Sequence, residues 1–280
     1  MEFFKGRKAV IATRHQKDKV IVPLIEKELG LIGIIPPDLD TDKLGTFSGE
    51  VERIGNPLTV LRNKCLMAIE ATGIEIAIAN EGSFGPHPEI FFAHAGDELI
   101  MLYDKENNIE IVERELNLDT NFGGAVIETE KQLIDFAGKA GFPSHGIILK
   151  KAKDDYSLII KDSRNFEDLI ANYNRIRKES NQAYAETDMR AHNNPTRMNN
   201  IQKVTEKLIS KAKSVCAICG TPGFGVVEAV KGLPCLACGI PTKSTLKHIC
   251  RCLKCSYESE ILFPYKKQAE DPQFCDFCNP

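Results

Sequence analysis

Four Cys-x-x-Cys pairs crowd the last quarter of the chain: Cys216/Cys219, Cys235/Cys238, Cys252/Cys255 and Cys275/Cys278. Two intervening residues let a tight knuckle aim both sulfurs at one tetrahedral ion, so each pair is half of a four-cysteine site. Fifteen residues separate the first two pairs and nineteen the last two. Both gaps fall in the range of a four-cysteine zinc site. The reading is two structural Zn2+ ions, with no coordination position left open for catalysis. Sequential pairing would make tandem zinc ribbons, and an interleaved cross-brace is the alternative. Cys250 could replace Cys252 as a ligand, but a small buried hydrophobe is the preferred reading, as it is for Cys65 on the apolar face of a helix.

Three polar clusters follow predicted strands. The first is ATRHQKDK, where Thr13, Arg14, His15, Lys17 and Lys19 could line a phosphate-binding helix start; a solvated basic turn explains them equally well. The second is NEGSFGPHP, in which Glu81 precedes Gly82, Ser83 and Gly85. A carboxylate there suits Mg2+, which takes one or two carboxylates plus substrate phosphates, although ordinary turns use the same residues. Upstream lie Asp38, Asp40, Asp42, Glu50 and Glu52. The third is ETDMRAHNNPTRM, residues 186–198. Thr187, Asp188, Arg190, His192, Asn193, Thr196 and Arg197 gather at or before a helix N-terminus. A cap needs one Asn or Thr and no arginines, whereas arginines beside free N–H groups suit a bound anion.

Alternating elements must position these clusters. KAVIAT reads as a buried strand, 17–30 as a helix around Pro23, and LIGIIP as a second strand. PLTVLRNKCLMAIEATG is a helix with Leu58, Leu61, Cys65, Ala68 and Thr72 on one face. IEIAIA is an interior strand, and NEGSFGPHPE a loop. EIFFA follows, and ELIMLYD and NIEIVEREL alternate as an antiparallel hairpin. Helices are expected over 129–140 and 164–181, strands at GIILK, YSLII and AYAET. Asn194 is the expected N-cap and Pro195 the N1 residue of a last helix with Met198, Ile201, Val204, Leu208 and Ala212 inward. The fold class is α/β with a mixed sheet in 1–213, then a double four-cysteine module in 214–280.

At 42% apolar and 27% charged residues the composition is that of a soluble globular protein. No apolar run approaches the ~20 residues of a membrane span. MEFFKGRKAVIAT lacks the apolar core and cleavage site of a signal peptide, so a cytoplasmic location is expected. After residue 188 there are 13 Lys/Arg against 7 Asp/Glu, a net +6. Eight thiolates and two Zn2+ would reduce that to about +2, weak support for a nucleic-acid partner.

The chain resembles a bacterial domain-of-unknown-function family through EGSFGPHP, TDMRAHNNPTRM, GLPCLACG and the final CNP. That resemblance implies no activity. Residues 1–213 also resemble, more remotely, the ITPase-like non-standard purine NTP pyrophosphatases. That family has a strand followed by T-x-N-x-K; here Thr13 to Lys17 carries His15 for the asparagine. A G-x-T-F element corresponds to Gly45-Thr46-Phe47, a K-A-rich helix ending in T-G to Lys64 through Thr72-Gly73, and an acidic D-D-S-G turn to Asn80-Glu81-Gly82-Ser83. An S-H-R near the last helix corresponds to the region of Arg190, His192 and Arg197, in scrambled order. The resemblance implies a metal-dependent phosphohydrolase converting an NTP to its monophosphate and pyrophosphate. Mg2+ or Mn2+ would be held by Glu81 with Glu50 or Asp42, and Lys17, Arg190, His192 and Arg197 would act on the phosphates. Thr13, His15, Ser83, Asp188 and Thr196 complete the expected site. The other class of function is a non-catalytic module, its zinc ribbons docking nucleic acid or a protein while the front domain binds an anionic ligand. The oligomeric state is not readable from the sequence.

Overall fold

The structure is a computed structural model and describes residues 2–37, 39, 55–90 and 92–280. The expected ligands Asp42 and Glu50, the acids Asp38, Asp40 and Glu52, and Gly45-Thr46-Phe47 lie outside the described residues. The chain divides into two compact units. One gathers residues 1–106 and 112–208, the other 107–111 and 209–280.

The first unit holds two sheets. In the first sheet β1 (Lys8–Ala12) runs parallel to β2 (Ile32–Ile34) and to β3 (Ile76–Pro86). Next come β4 (His94–Asp104) and β5 (Ile109–Asn117), giving the order β2-β1-β3-β4-β5. The parallel connections are helical. Helix α1 (Asp18–Leu29) passes through Pro23, buries Ile21, Ile25 and Leu29 at i, i+4 spacing, and ends at left-handed Gly30. Helix α2 (Pro57–Thr72) starts where the Asn56 side chain accepts the Thr59 N–H at 2.9 Å, with Pro57 at N1. Its Leu61, Cys65, Ala68 and Ile69 pack with Val10, Ala12, Ala77, Ala79 and Met101. Cys65 is therefore core.

The stretch expected as a loop is strand. Asn80 through Pro86 continue β3, paired antiparallel with β4 from Asn80↔Ile100 to Pro86↔His94. Turn-forming residues mislead here because the ladder to β4 supplies the backbone partners that a loop would lack. EIFFA forms no strand among its described residues.

The second sheet has the order β6-β9-β7-β8, built from β6 (Gly124–Ile127), β7 (Ile147–Lys150), β8 (Ile159–Ile160) and β9 (Ala183–Thr187). The first of these strands was not anticipated. Helices α3 (Glu130–Ala140) and α4 (Phe166–Arg177) cover one face, where Leu133, Ala137, Leu169, Tyr173 and Ile176 pack on Ile147, Leu149, Ala183 and Ala185. By strand alternation Tyr184, Glu186, Ile148 and Lys150 occupy the other face. Helix α5 (Pro195–Lys213) buries Ile201, Val204, Leu208 and Ala212, and Asn194 accepts the Arg197 N–H at 2.9 Å as the expected cap. Among the described residues no helix is long and apolar enough to cross a membrane.

In the second unit β10 (Gly225–Lys231), β11 (Thr245–Arg251) and β12 (Glu258–Leu262) form an antiparallel sheet carrying the cysteine pairs at its ends.

Among the described glycines of the first sheet, Gly82 is the most tightly enclosed. A Cβ there would lie 2.6 Å from both the Arg197 guanidinium and the Glu98 carboxylate. Gly82→Ala should cost roughly 3 kcal/mol by forcing that buried pair apart. Gly85→Ala, where a Cβ meets nothing within 4 Å, should cost less than about 1 kcal/mol. Urea midpoints of the two variants check the difference.

Candidate functional site

A buried polar chain crosses the far end of the first sheet. Lys17, at the start of α1, is 4% exposed and donates to the Asn80 side-chain oxygen at 2.9 Å. The Asn80 amide donates to Glu98 at 3.1 Å and to the Leu99 carbonyl at 2.8 Å. Glu98 accepts from the Arg197 Nε at 2.7 Å, and the Arg197 Nη1 donates to the Met189 carbonyl. Both Arg197 and Glu98 are 1% exposed. Burial first, then the Arg197 charge, lowers the Lys17 ammonium to about 7.

Beside this chain the turn after β1 places His15 and Gln16 consecutively in the left-handed region, at φ 63° and 59°. Such backbone is uncommon outside glycine and collects at functional sites. The turn sets the His15 ring 5.2 Å from that of His192. Burial, followed by Lys17, His192, Arg190 and Arg197, pulls His15 down to about 3. Burial and then Arg190 lower His192 as well. The His192 Nδ1 is buried and has no hydrogen-bond partner among the described residues.

The 186–198 stretch is partly its own scaffold. Fully buried Asp188 accepts from the Arg190 backbone N–H at 2.9 Å, from its Nη2 at 2.7 Å and from Asn193 at 2.8 Å. Asp162 also accepts from Arg190 at 2.7 Å and from Asn193 at 2.8 Å. Arg190 is thus a paired cation; burial, the largest single effect, pushes the Asp188 and Asp162 carboxyls up, but these hydrogen bonds and the Arg190 charge together outweigh it and hold both below the usual carboxylate range.

The structure separates other expected members. Glu81 and Asn80 point to opposite faces of β3. Glu81 lies on the α2 side, 2% exposed, in a buried ion pair with Lys64. The Thr13 hydroxyl donates to the Arg14 carbonyl at 3.2 Å, and the Thr196 hydroxyl sits 2.9 Å from the His145 Nε2. Ser83 lines a cavity of about 520 Å³ with Phe84, Phe122, Tyr184, Glu186, Asp188 and Arg190.

Sequence reasoning passed over Glu98, Asp162, Lys150, Tyr184 and Glu186. For Glu186 and Tyr184 a signal existed: AYAET places both on the face of a strand opposite its alanines.

The cysteines form two groups, Cys216/Cys219/Cys252/Cys255 and Cys235/Cys238/Cys275/Cys278, each with its sulfurs within 4.8 Å of one another. Sulfur separations of 3.6 Å (Cys216–Cys255 and Cys219–Cys252), 3.8 Å (Cys235–Cys278) and 3.7 Å (Cys238–Cys275) match the ~3.8 Å edge of a tetrahedron with Zn–S bonds of about 2.3 Å. They are far from the ~2.05 Å of a disulfide. Both groups are compatible with a structural metal ion such as zinc. The pairing is interleaved, first with third and second with fourth, so sequential tandem ribbons are not the architecture. The reason is β10. It runs extended between the first two pairs, and seven residues at ~3.4 Å each carry the second knuckle over 20 Å away. Antiparallel β11 then returns beside the first knuckle, with Arg251 opposite Gly225. The second knuckle meets the last through the bridge Cys235↔Glu270. Gly220 and Gly239 follow two of the knuckles at φ 68° and 73°, and Ser256 holds the same place at 58°. Cys250 is buried outside both groups.

A mixed-sheet α/β unit with a buried polar chain across one end of its first sheet, followed by a cross-braced eight-cysteine module, defines the class of protein. The chain belongs to the family described as a domain of unknown function, DUF6671, whose model matches residues 64–280. No curated protein matches it.

The pairing is open to a stoichiometry test. Cys219→Ser with Cys252→Ser should lose one metal ion per chain, whereas Cys219→Ser with Cys238→Ser should lose both. Metal analysis of the purified variants reads the difference, and sequential pairing gives both ions lost in the first variant and one in the second.

Proposed function

We propose that the first unit binds the phosphates of a nucleotide at the His15/His192 cluster and hydrolyses it as an ITPase-like pyrophosphohydrolase does, NTP and water giving NMP and pyrophosphate. The observation carrying this reading is the surround of His15, where Lys17, His192, Arg190 and Arg197 all disfavour a further positive charge. Such a place favours an anion. It lies beyond the carboxyl ends of parallel β1 and β3, where open α/β sheets receive ligands. The order of the motifs resembling the ITPase-like family supports the same assignment.

In this reading Lys17 and the His15 and His192 rings meet the phosphate oxygens. Arg190 and Arg197, held by their carboxylates, supply a fixed positive field. Water attacks the α-phosphorus, the bond to the bridging oxygen breaks, and pyrophosphate leaves; positioned charge lowers the barrier. Magnesium would bind through substrate phosphates and one or two carboxylates. Glu81 is the described candidate, and it would hold the ion only in exchange for the Lys64 ammonium, so no step is drawn through the metal. We further take the two four-cysteine groups to hold Zn2+.

A second reading has one specific support. Ile218, Leu236, Phe274 and Phe277 stand 59–75% exposed around the cysteine groups, which suits protein docking better than nucleic acid. It would leave the first unit a binder without turnover.

Pyrophosphate release from a panel of NTPs with Mg2+ or Mn2+ is the test. Turnover should fall at least about a hundredfold in a Lys17→Met variant that stays folded. No turnover across the panel sinks the hydrolase and leaves the binding module.

The pH dependence follows from Lys17. Its ammonium is already formed below about 7, and a bound phosphate raises its affinity for the proton. Binding of tripolyphosphate should therefore be flat below pH 7 and weaken by up to about tenfold per unit above it. Lys17→Arg should remove that decline. Calorimetric titration between pH 6 and 9 measures it.

A further inference from the structure

We infer that the cavity between the two sheets of the first unit receives a planar nitrogen heterocycle of the phosphate-bearing ligand, and that Glu186 selects ring edges that donate hydrogen bonds. The phosphate half of this statement rests on the reading above; the ring half stands on different residues.

The cavity, at about 520 Å³, is in the ~300–1,000 Å³ range of small-molecule sites. It shares Asp188 and Arg190 with the cationic cluster, so one ligand can reach both. One wall is aromatic. Phe84 and Phe122 stack with centroids 6.0 Å apart, and His94 meets the Phe122 edge at 5.4 Å. The Arg197 guanidinium lies 5.2 Å from the Phe84 centroid, which holds that ring from below. A planar ring is the ligand that such a wall favours.

The opposite wall is the outer face of the second sheet. Glu186 pairs with the Lys150 ammonium at 2.9 Å. Lys150 is 3% exposed and lies 4.8 Å from the Tyr156 centroid. Facing this ammonium, the Glu186 carboxylate serves as a hydrogen-bond acceptor. Its second oxygen accepts no hydrogen bond among the described residues. A ring edge carrying N–H or amino groups satisfies that oxygen. An edge of bare acceptors strips it of water and returns nothing. Tyr184 is admitted beside it by Gly124, where a Cβ would sit 2.2 Å from the Tyr184 hydroxyl.

The test is competitive binding to the metal-replete full chain with tripolyphosphate, GTP, ATP and purine riboside triphosphate, which has the same rings but no donor on that edge. GTP or ATP should bind at least about tenfold tighter than purine riboside triphosphate, and that gap should close in Glu186→Gln. Phe122→Leu should weaken all ring-bearing ligands and leave tripolyphosphate unchanged, which keeps the idea testable if the first variant does not fold. Tripolyphosphate binding as tightly as every nucleotide overturns the ring site and leaves the anion reading standing. Guanosine or adenosine binding while tripolyphosphate does not overturns the anion reading and leaves the ring site. Equal binding of GTP, ATP and purine riboside triphosphate overturns the role of Glu186.

Discussion

The buried ion pair between Arg197 and Glu98 ties the first unit together. Each residue is 1% exposed, and neither charge is tolerable there alone, since breaking such a pair costs about 3–5 kcal/mol. The pair exists because three other features allow it. Gly82 has no side chain where the guanidinium and carboxylate lie. Asn80 donates to the second carboxylate oxygen and accepts from Lys17. The Met189 carbonyl takes the Nη1 of Arg197. One interaction thus joins the first turn of α5, the β3–β4 ladder, the turn after β1 and the 186–198 stretch.

What faces solvent around that pair follows from it. With Arg197 and Lys17 held in the interior, the turn after β1 sets the His15 ring 5.2 Å from that of His192. Arg190 is held between buried Asp188 and exposed Asp162 and lines the cavity. The polar residues of 186–198 therefore divide into two jobs. Asp188, Asn193 and Asn194 build the local scaffold, while His192, Arg190 and Arg197 carry its charge and its open ring nitrogen.

The second unit is governed by a different constraint. Its three-stranded sheet exposes much of both faces, and so small a core does not fold on burial alone. The two four-cysteine groups lie at its ends, and a metal ion held in each would supply folding energy. Interleaving follows from strand length. A knuckle at each end of the β10–β11 hairpin cannot share an ion with its neighbour in sequence, only with one that another strand brings back.

The sequence by itself determined the elements with strong local grammar: α2, α5 with its Asn cap and N1 proline, the β4–β5 hairpin, the cysteine pairs, and the core placement of Cys65 and Cys250. These depend on periodicity and on residue types within a few positions of one another. It misread Asn80–Pro86 as a loop, because β4 supplies partners that no local pattern announces. Tertiary structure alone decided which knuckles share an ion, that Glu81 meets Lys64 on one sheet face while Asn80 meets Lys17 on the other, and that Glu98 lies under Arg197, 99 residues away in sequence. Each is a question of which surfaces a strand turns toward which neighbour, and side-chain spacing along a single chain carries no information about its neighbours.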